Sequence, residues 1–493
     1  MRSRRTFGFR ALLIATVLME CCTEASATSG GTIPGPGLGS STNCATAPLR
    51  TTGPVHYYCD CGTGAAAGCV AGIDTNAGTS PPAPRRTFSS ARSRFGGMAA
   101  GGTVALCRGG AWNEGGGYVN NGNCRATDES TYCDFRDYVP SWGSASSARP
   151  RINAGGSNAF GVSSGGGYRF WNIDIRGVPS VDDGKFQFNG GAHDIDVCNV
   201  QIDTMRLGFN ISQTAGTSIV IRNSQFYRSS FCAIYGGAPG ILIDSNYFED
   251  NGTTATPQTH SVYLAEYAGG IRFVNNDIRT ASWCGGVQVV LHMTLPNVLV
   301  ENNRIYSPST NVNCYGIQTS FSMVAWAEFD NAVFRRNRVT SAPGFGGNSM
   351  EIRGCVNCTV SDNILVNGSF TVGTGSCGGN LACTSGTTVQ NNSVIGTMGI
   401  GGTNNIVENN AVTGSCIIGG TTARRGSNVC GVSAGSAWVD SAGGNFAPAN
   451  PGPLIGTASQ TSYSPTAVGS ITWNPSDTGL ARVPPIDAGA LQR

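Results

Sequence analysis

Three short stretches of this chain carry side chains that could do chemistry. The first is His260-x-x-Tyr263-x-x-Glu266. Histidine titrates near neutral pH and tyrosine donates a hydrogen, so His260 and Tyr263 could share base and acid work. The same pattern also suits a structural turn with a stacking position. The second is Asp182-Asp183-x-Lys185, which contains the only lysine of the chain. Paired carboxylates could hold calcium, with Lys185 beside them as a base or a carboxylate clamp. An Asp-Asp-Gly turn in solvent is the plainer alternative. The third is Glu351-x-Arg353, with His292 and Arg206 as candidate neighbours. Arg206 or Arg353 could neutralise a carboxylate and acidify the carbon-bound proton next to it. A surface ion pair of little energetic weight is the alternative.

The elements that must position these residues are legible in a repeat. Ten times a six-residue phrase recurs, apolar at its first and last positions, starting at residues 170, 197, 221, 243, 273, 300, 334, 360, 389 and 407. Seven consecutive copies have asparagine fourth: Asn246, Asn276, Asn303, Asn337, Asn363, Asn392 and Asn410. A period of 18 to 34 residues means a solenoid. The flanking residues are β-branched or aromatic without helical periodicity, so each repeat is a coil of short strands. Asparagine tolerates a left-handed backbone, so one per coil is expected at a left-handed turn, with amides hydrogen-bonded along the stack.

Composition agrees with an all-β chain. Only 12% of the 493 residues are charged, and 71 are glycine. Residues 1–27 read as a secretory signal: four arginines, an apolar run at 11–19, and Ala25-Ser26-Ala27 as a cleavage site. Removing that signal leaves 27 basic and 27 acidic residues, so nothing resembles a nucleic-acid footprint. No later segment is long and apolar enough to span a membrane. The 17 cysteines left after cleavage favour an oxidising compartment, and their odd number leaves at least one without an internal partner. Zinc at Cys59-x-Cys61 or Cys355-x-x-Cys358 is the competing use. Cys284 and Cys314 precede equivalent strand positions in successive coils, within bridging distance.

The opening and closing segments carry further marks. Tyr57-Tyr58-Cys59-Asp60 leads into Asp74-Thr75-Asn76-Ala77-Gly78-Thr79-Ser80-Pro81 and then Gly101-Gly102-Thr103-Val104. The end holds Pro453-Leu454-Ile455-Gly456 and Pro485-Ile486-Asp487-Ala488-Gly489-Ala490. Together with the repeats these resemble secreted parallel β-helix proteins of the pectin-lyase-like superfamily. The resemblance implies a single right-handed parallel β-helix of three sheets and about 10–12 coils. A Cys-rich cap region would precede it and a C-terminal wrap would follow. The expected organisation is a signal at 1–27, a Gly/Pro/Ser-rich linker at 28–55, the β-helix at 56–420 and a capping segment at 421–493.

By the same resemblance, the asparagine phrase spans the second strand, a turn and the third strand of a coil, and the next strand opens the following coil. Alternation then sends Phe186, Phe188, Phe209, Ile234, Val262, Leu264, Val287, Val289, Ile317, Met350 and Ile352 inward. It sends Lys185, Gln187, Asn189, Asn210, Tyr235, Tyr263, Gln288, His292, Gln318, Ser320, Glu351 and Arg353 outward. Amides, aromatic faces and cations on one strip suit a sugar chain, one sugar to each coil of about 5 Å. The superfamily holds lyases, hydrolases, epimerases and non-catalytic proteins, so architecture alone does not choose. Strings typical of its pectate lyases, polygalacturonases and epimerases are absent. Glu351 has no outward acidic partner for carboxylate-pair hydrolysis. The expectation is therefore an exported protein acting on polysaccharide by β-elimination at an acidic glycan. A non-catalytic glycan-binding or adhesive cell-surface protein is the alternative.

Overall fold

The computed structural model describes residues 43–448, apart from 51–52, 129, 180–183, 213–214, 254–258, 266–268, 281–285, 293–294, 321–328, 374–383 and 441–444. The signal expected at 1–27 and most of the expected capping segment lie outside the described residues. So do Asp182, Asp183, Glu266 and Cys284.

Three parallel ladders rise side by side, and each is closed by one inward residue per coil. In the first sheet that column runs Phe160, Phe186, Phe209, Ile234, Val262, Val289, Ile317, Met350, Phe370 and Met398. In the second it runs Phe170, Val197, Ile221, Ile243, Phe273, Val300, Phe334, Val360, Val389 and Val407. In the third it runs Ile175, Ile202, Phe226, Phe248, Ile278, Ile305, Val339, Leu365, Val394 and Val412. The three columns meet in one buried core. Rings stack directly within it, Phe186 on Phe209 at 4.8 Å and Phe226 on Phe248 at 4.8 Å. Coil spacing matches the stacking distance of aromatic faces, so each ring gains contact area as well as burial. This is the parallel β-helix that the repeats predict. Of the inward set, Val287 alone lies outside that core, because pairing in its coil begins at Val289.

The six-residue phrase bridges the second and third sheets, and the asparagines form a continuous amide ladder at the turn between them. Each Nδ2 donates to the next coil's Oδ1, at 3.1, 3.0, 2.9, 3.1, 3.0 and 2.9 Å from Asn246 through Asn410. Asn428 adds one more step at 2.8 Å. The expected left-handed turn is present but sits one residue earlier. Asn275, Asn302, Arg336, Asp362, Asn391 and Asn409 have φ between 54° and 58°. The ladder residue itself must point inward to reach both neighbours, so the preceding residue takes the turn.

Both ends depart from the expected boundaries. Residues 43–50 are not a loose linker. Cys44 is bonded to Cys198, Arg50 pairs with Asp134 at 2.7 Å, and Arg136 donates to the carbonyls of Ala47 and Pro48. A helix, α1 (Phe88–Gly96), went unread in the sequence. Its Phe88, Ala91 and Phe95 are buried, with Phe88 and Phe95 against Phe135, so it closes the open end of the core. Thr87 caps it, and the Glu114 carboxylate accepts from the Phe88 and Ser89 amides. At the other end, coils continue past residue 420: Thr422–Gly426 and Val429–Cys430 still pair in parallel. Trp438 then packs beside Ile364 and Ala411 on the flank of the third sheet.

Cysteine usage is oxidative. Cys59–Cys107, Cys61–Cys69 and Cys355–Cys358 are bonded, which removes the zinc reading at those pairs. Cys314 is also in a disulfide, and Cys232 is the free, buried thiol among the described residues. No helix of the described residues is long and apolar enough to cross a membrane.

Candidate functional site

The outward face of the first sheet places one residue per coil in register. The column reads Gln187, Asn210, Tyr235, Tyr263, Val290, Gln318, Glu351 and Thr371. Six of these are residues the alternation sends outward. Val290 takes the place expected for Gln288, which precedes the paired strand and is buried, accepting from the Ser261 hydroxyl at 2.6 Å. Asn189 lies three coils above Tyr263 and donates to the Tyr118 hydroxyl at 3.1 Å.

Rings dominate the middle of the strip. The Arg206 guanidinium lies over Phe231 at 4.9 Å, and Phe231 meets Tyr235 at 5.8 Å. Tyr235 stacks on Tyr263 at 5.1 Å with 14° between planes. Tyr263 in turn shares a hydrogen bond of 2.7 Å between its hydroxyl and His292 Nδ1. Strand register brings this pair together: Tyr263 pairs with Val290, two residues before His292, so the two side chains leave the same face in adjacent coils. The expected partner of Tyr263, His260, is placed differently. His260 is only 7% exposed, and its Nδ1–H donates to the Val287 carbonyl at 2.8 Å. Burial pushes its pKa down to about 4, against the opposing pull of that hydrogen bond. This enclosed ring stacks 5.5 Å from Tyr263 and forms a side wall of the strip.

A second polar patch lies further along the same face. Glu351 is 3% exposed, yet it accepts from Arg353 Nε at 2.9 Å and from Gln318 Nε2 at 2.5 Å. Arg353 Nη2 closes a second contact on the same carboxylate oxygen. Arg353 itself keeps 40% of its side chain in solvent.

Lys185 does not reach the strip. It is fully buried, and its ammonium donates to the carbonyls of Gly155 and Ser157 at 2.8 and 2.7 Å. Those bonds make it a brace for the preceding coil rather than a base open to a ligand. The carboxylates expected to hold calcium, Asp182 and Asp183, lie outside the described residues. Among the described residues no cluster of three or more His, Cys, Asp or Glu side chains could hold a metal.

No protein family and no curated protein matches the chain. Solved structures with similar chain paths do exist. A pectate lyase, Pel9A, is 13% identical, covering 91% of this chain and 98% of its own, with a TM-score of 0.39. The A-module of the Azotobacter vinelandii mannuronan C-5 epimerase AlgE6 is 12% identical over 70% and 93%, with a TM-score of 0.45. The Dettilon tailspike protein gp208 is 12% identical over 75% and 68%, with a TM-score of 0.42. The chain is similar to these in its path, and the likeness gives no residue of the strip a role.

Proposed function

We propose that this chain is an exported β-helix protein that lays a polysaccharide along the outward face of its first sheet. There it cleaves an acidic glycan by β-elimination. The observation that carries the reading is the Tyr263–His292 hydrogen bond of 2.7 Å at the end of an unbroken run of rings. Aromatic faces meet the C–H surfaces of sugars, and the phenol–imidazole couple can move a proton within hydrogen-bond reach. His292 would take the hydroxyl proton of Tyr263 as the phenolate removes the proton beside a uronate carboxylate. The protonated couple would then return a proton to the departing glycosidic oxygen. Arg206 would offset the uronate charge, since its guanidinium reaches over Phe231 into the coil next to that of Tyr263. The oxidised cysteines favour a compartment outside the cytosol.

The test is incubation of the mature protein with alginate, pectate and glycosaminoglycans, following the ultraviolet absorbance of unsaturated uronates. A signal that disappears in Tyr263→Phe supports the reading. Absence of signal on all three, with glycan pull-down retained, would leave the non-catalytic glycan binder in its place.

A further inference from the structure

We propose that Arg353 is a distal-subsite residue. It would bind hydroxyl oxygens of a sugar two to three residues along the chain from the ring that meets Tyr263 and His292, and Glu351 sets its direction. This deepens the glycan reading above and rests on it.

The register carries the argument. Tyr263, Val290, Gln318 and Glu351 occupy successive rungs of one column. Three rungs at about 4.8 Å separate Tyr263 from Glu351 by roughly 14 Å. Arg353 does not shorten that gap by reaching back. Its Nε and Nη2 are both held on Glu351 Oε1, and the other carboxylate oxygen is fixed by Gln318. The rung beside Tyr263 is Val290, which is buried and offers no polar side-chain atom. His292 leaves the same face two residues beyond Val290 and turns to Tyr263, so the Tyr263–His292 and Glu351–Arg353 patches sit two to three rungs apart. A sugar chain advancing one residue per coil would meet them with different residues. Arg353 thus cannot neutralise a carboxylate on the ring attacked at Tyr263.

Charge decides the chemistry of the distal patch. The guanidinium is already paired with a carboxylate that is 3% exposed, so the pair presents oriented N–H donors and little net charge. Neutral hydroxyl acceptors fit it better than a second uronate carboxylate would. Glu351 acts as a positioning residue here: it fixes the donor fork before the sugar arrives.

The experiment is calorimetric titration of the mature protein with alginate and galacturonate oligosaccharides of two to six residues. Wild type, Arg353→Ala, Arg353→Lys and Glu351→Gln would be compared. The expected result is that Arg353→Ala weakens binding of tetramers and longer chains about tenfold, and of dimers less than about twofold. Glu351→Gln should follow the same length dependence, and the long-chain loss should barely change between low and moderate salt. An equal loss at every length would overturn the distal assignment while leaving the glycan reading intact. A steep salt dependence would overturn the hydroxyl assignment. No binding of any length by the wild type would overturn the glycan reading itself. Arg353→Lys keeps the charge and the stem but loses the fork, so it guards against a variant that merely misfolds.

Discussion

Two columns of side chains run along this coil, one residue per turn, under opposite rules. At the turn between the second and third sheets the residue is asparagine in coil after coil. On the outward face of the first sheet it changes at nearly every rung, from Gln187 through Tyr235 and Tyr263 to Glu351. An amide repeats well because it carries donor and acceptor together, so each asparagine can serve the coil before and the coil after. On the proposed reading the strip faces a ligand, and it then has no reason to repeat. Sameness marks the column that holds the coils together, and variety marks the column proposed to meet the glycan.

The largest expected effect breaks the first column. Asn337 donates to Asn363 and to the Val300 carbonyl, and it accepts from the amide and side chain of Asn303. Asn337→Ala leaves several of these buried groups without partners, which should cost about 3–5 kcal/mol in chemical denaturation. A loss below about 1 kcal/mol would mean the ladder is incidental.

Next comes the wall of the second column. His260 has its pKa lowered from 6.5 to about 4 by burial. The unfolded chain therefore binds the extra proton first as pH falls. The stability contribution is fully present above pH 6.5 and is lost between pH 6.5 and 4, by roughly 3 kcal/mol. Denaturation midpoints across that window should fall in the wild type and flatten in His260→Gln. Equal slopes in the two proteins would place the titration elsewhere.

A smaller effect sharpens the boundary between the columns. Lys185→Met removes the donor to Gly155 and Ser157 and should cost about 1–3 kcal/mol. Glycan affinity should stay at the wild-type value, because the ammonium braces a neighbouring coil. Loss of affinity without loss of stability would return Lys185 to the site.

The sequence made the first column readable and left much of the second obscure. The inward residues Phe186, Phe209, Val262, Ile317 and Met350 follow from alternation, and all are buried. Alternation states which way a side chain leaves the strand, but not what covers it. Lys185 is thus fully buried beside strand neighbours that face the core, and Gln288 is enclosed with Ser261. Coil lengths vary from 18 to 34 residues, so the rung that meets Tyr263 cannot be counted from sequence alone. His260 is three residues away along the chain and looked like the partner, while His292, in the next coil, makes the bond. The cap helix is hidden because about two turns of apolar spacing, Phe88, Ala91 and Phe95, are too short to show a period.

The proposed elimination depends most heavily on the Tyr263 hydroxyl. The direct measurement pairs the unsaturated-uronate absorbance assay with a denaturation curve for Tyr263→Phe, which keeps the ring and its stack on Tyr235 but removes the hydroxyl. The account predicts a rate at least about 100-fold lower with stability within about 1 kcal/mol of wild type. A variant that turns over glycan at the wild-type rate would contradict it.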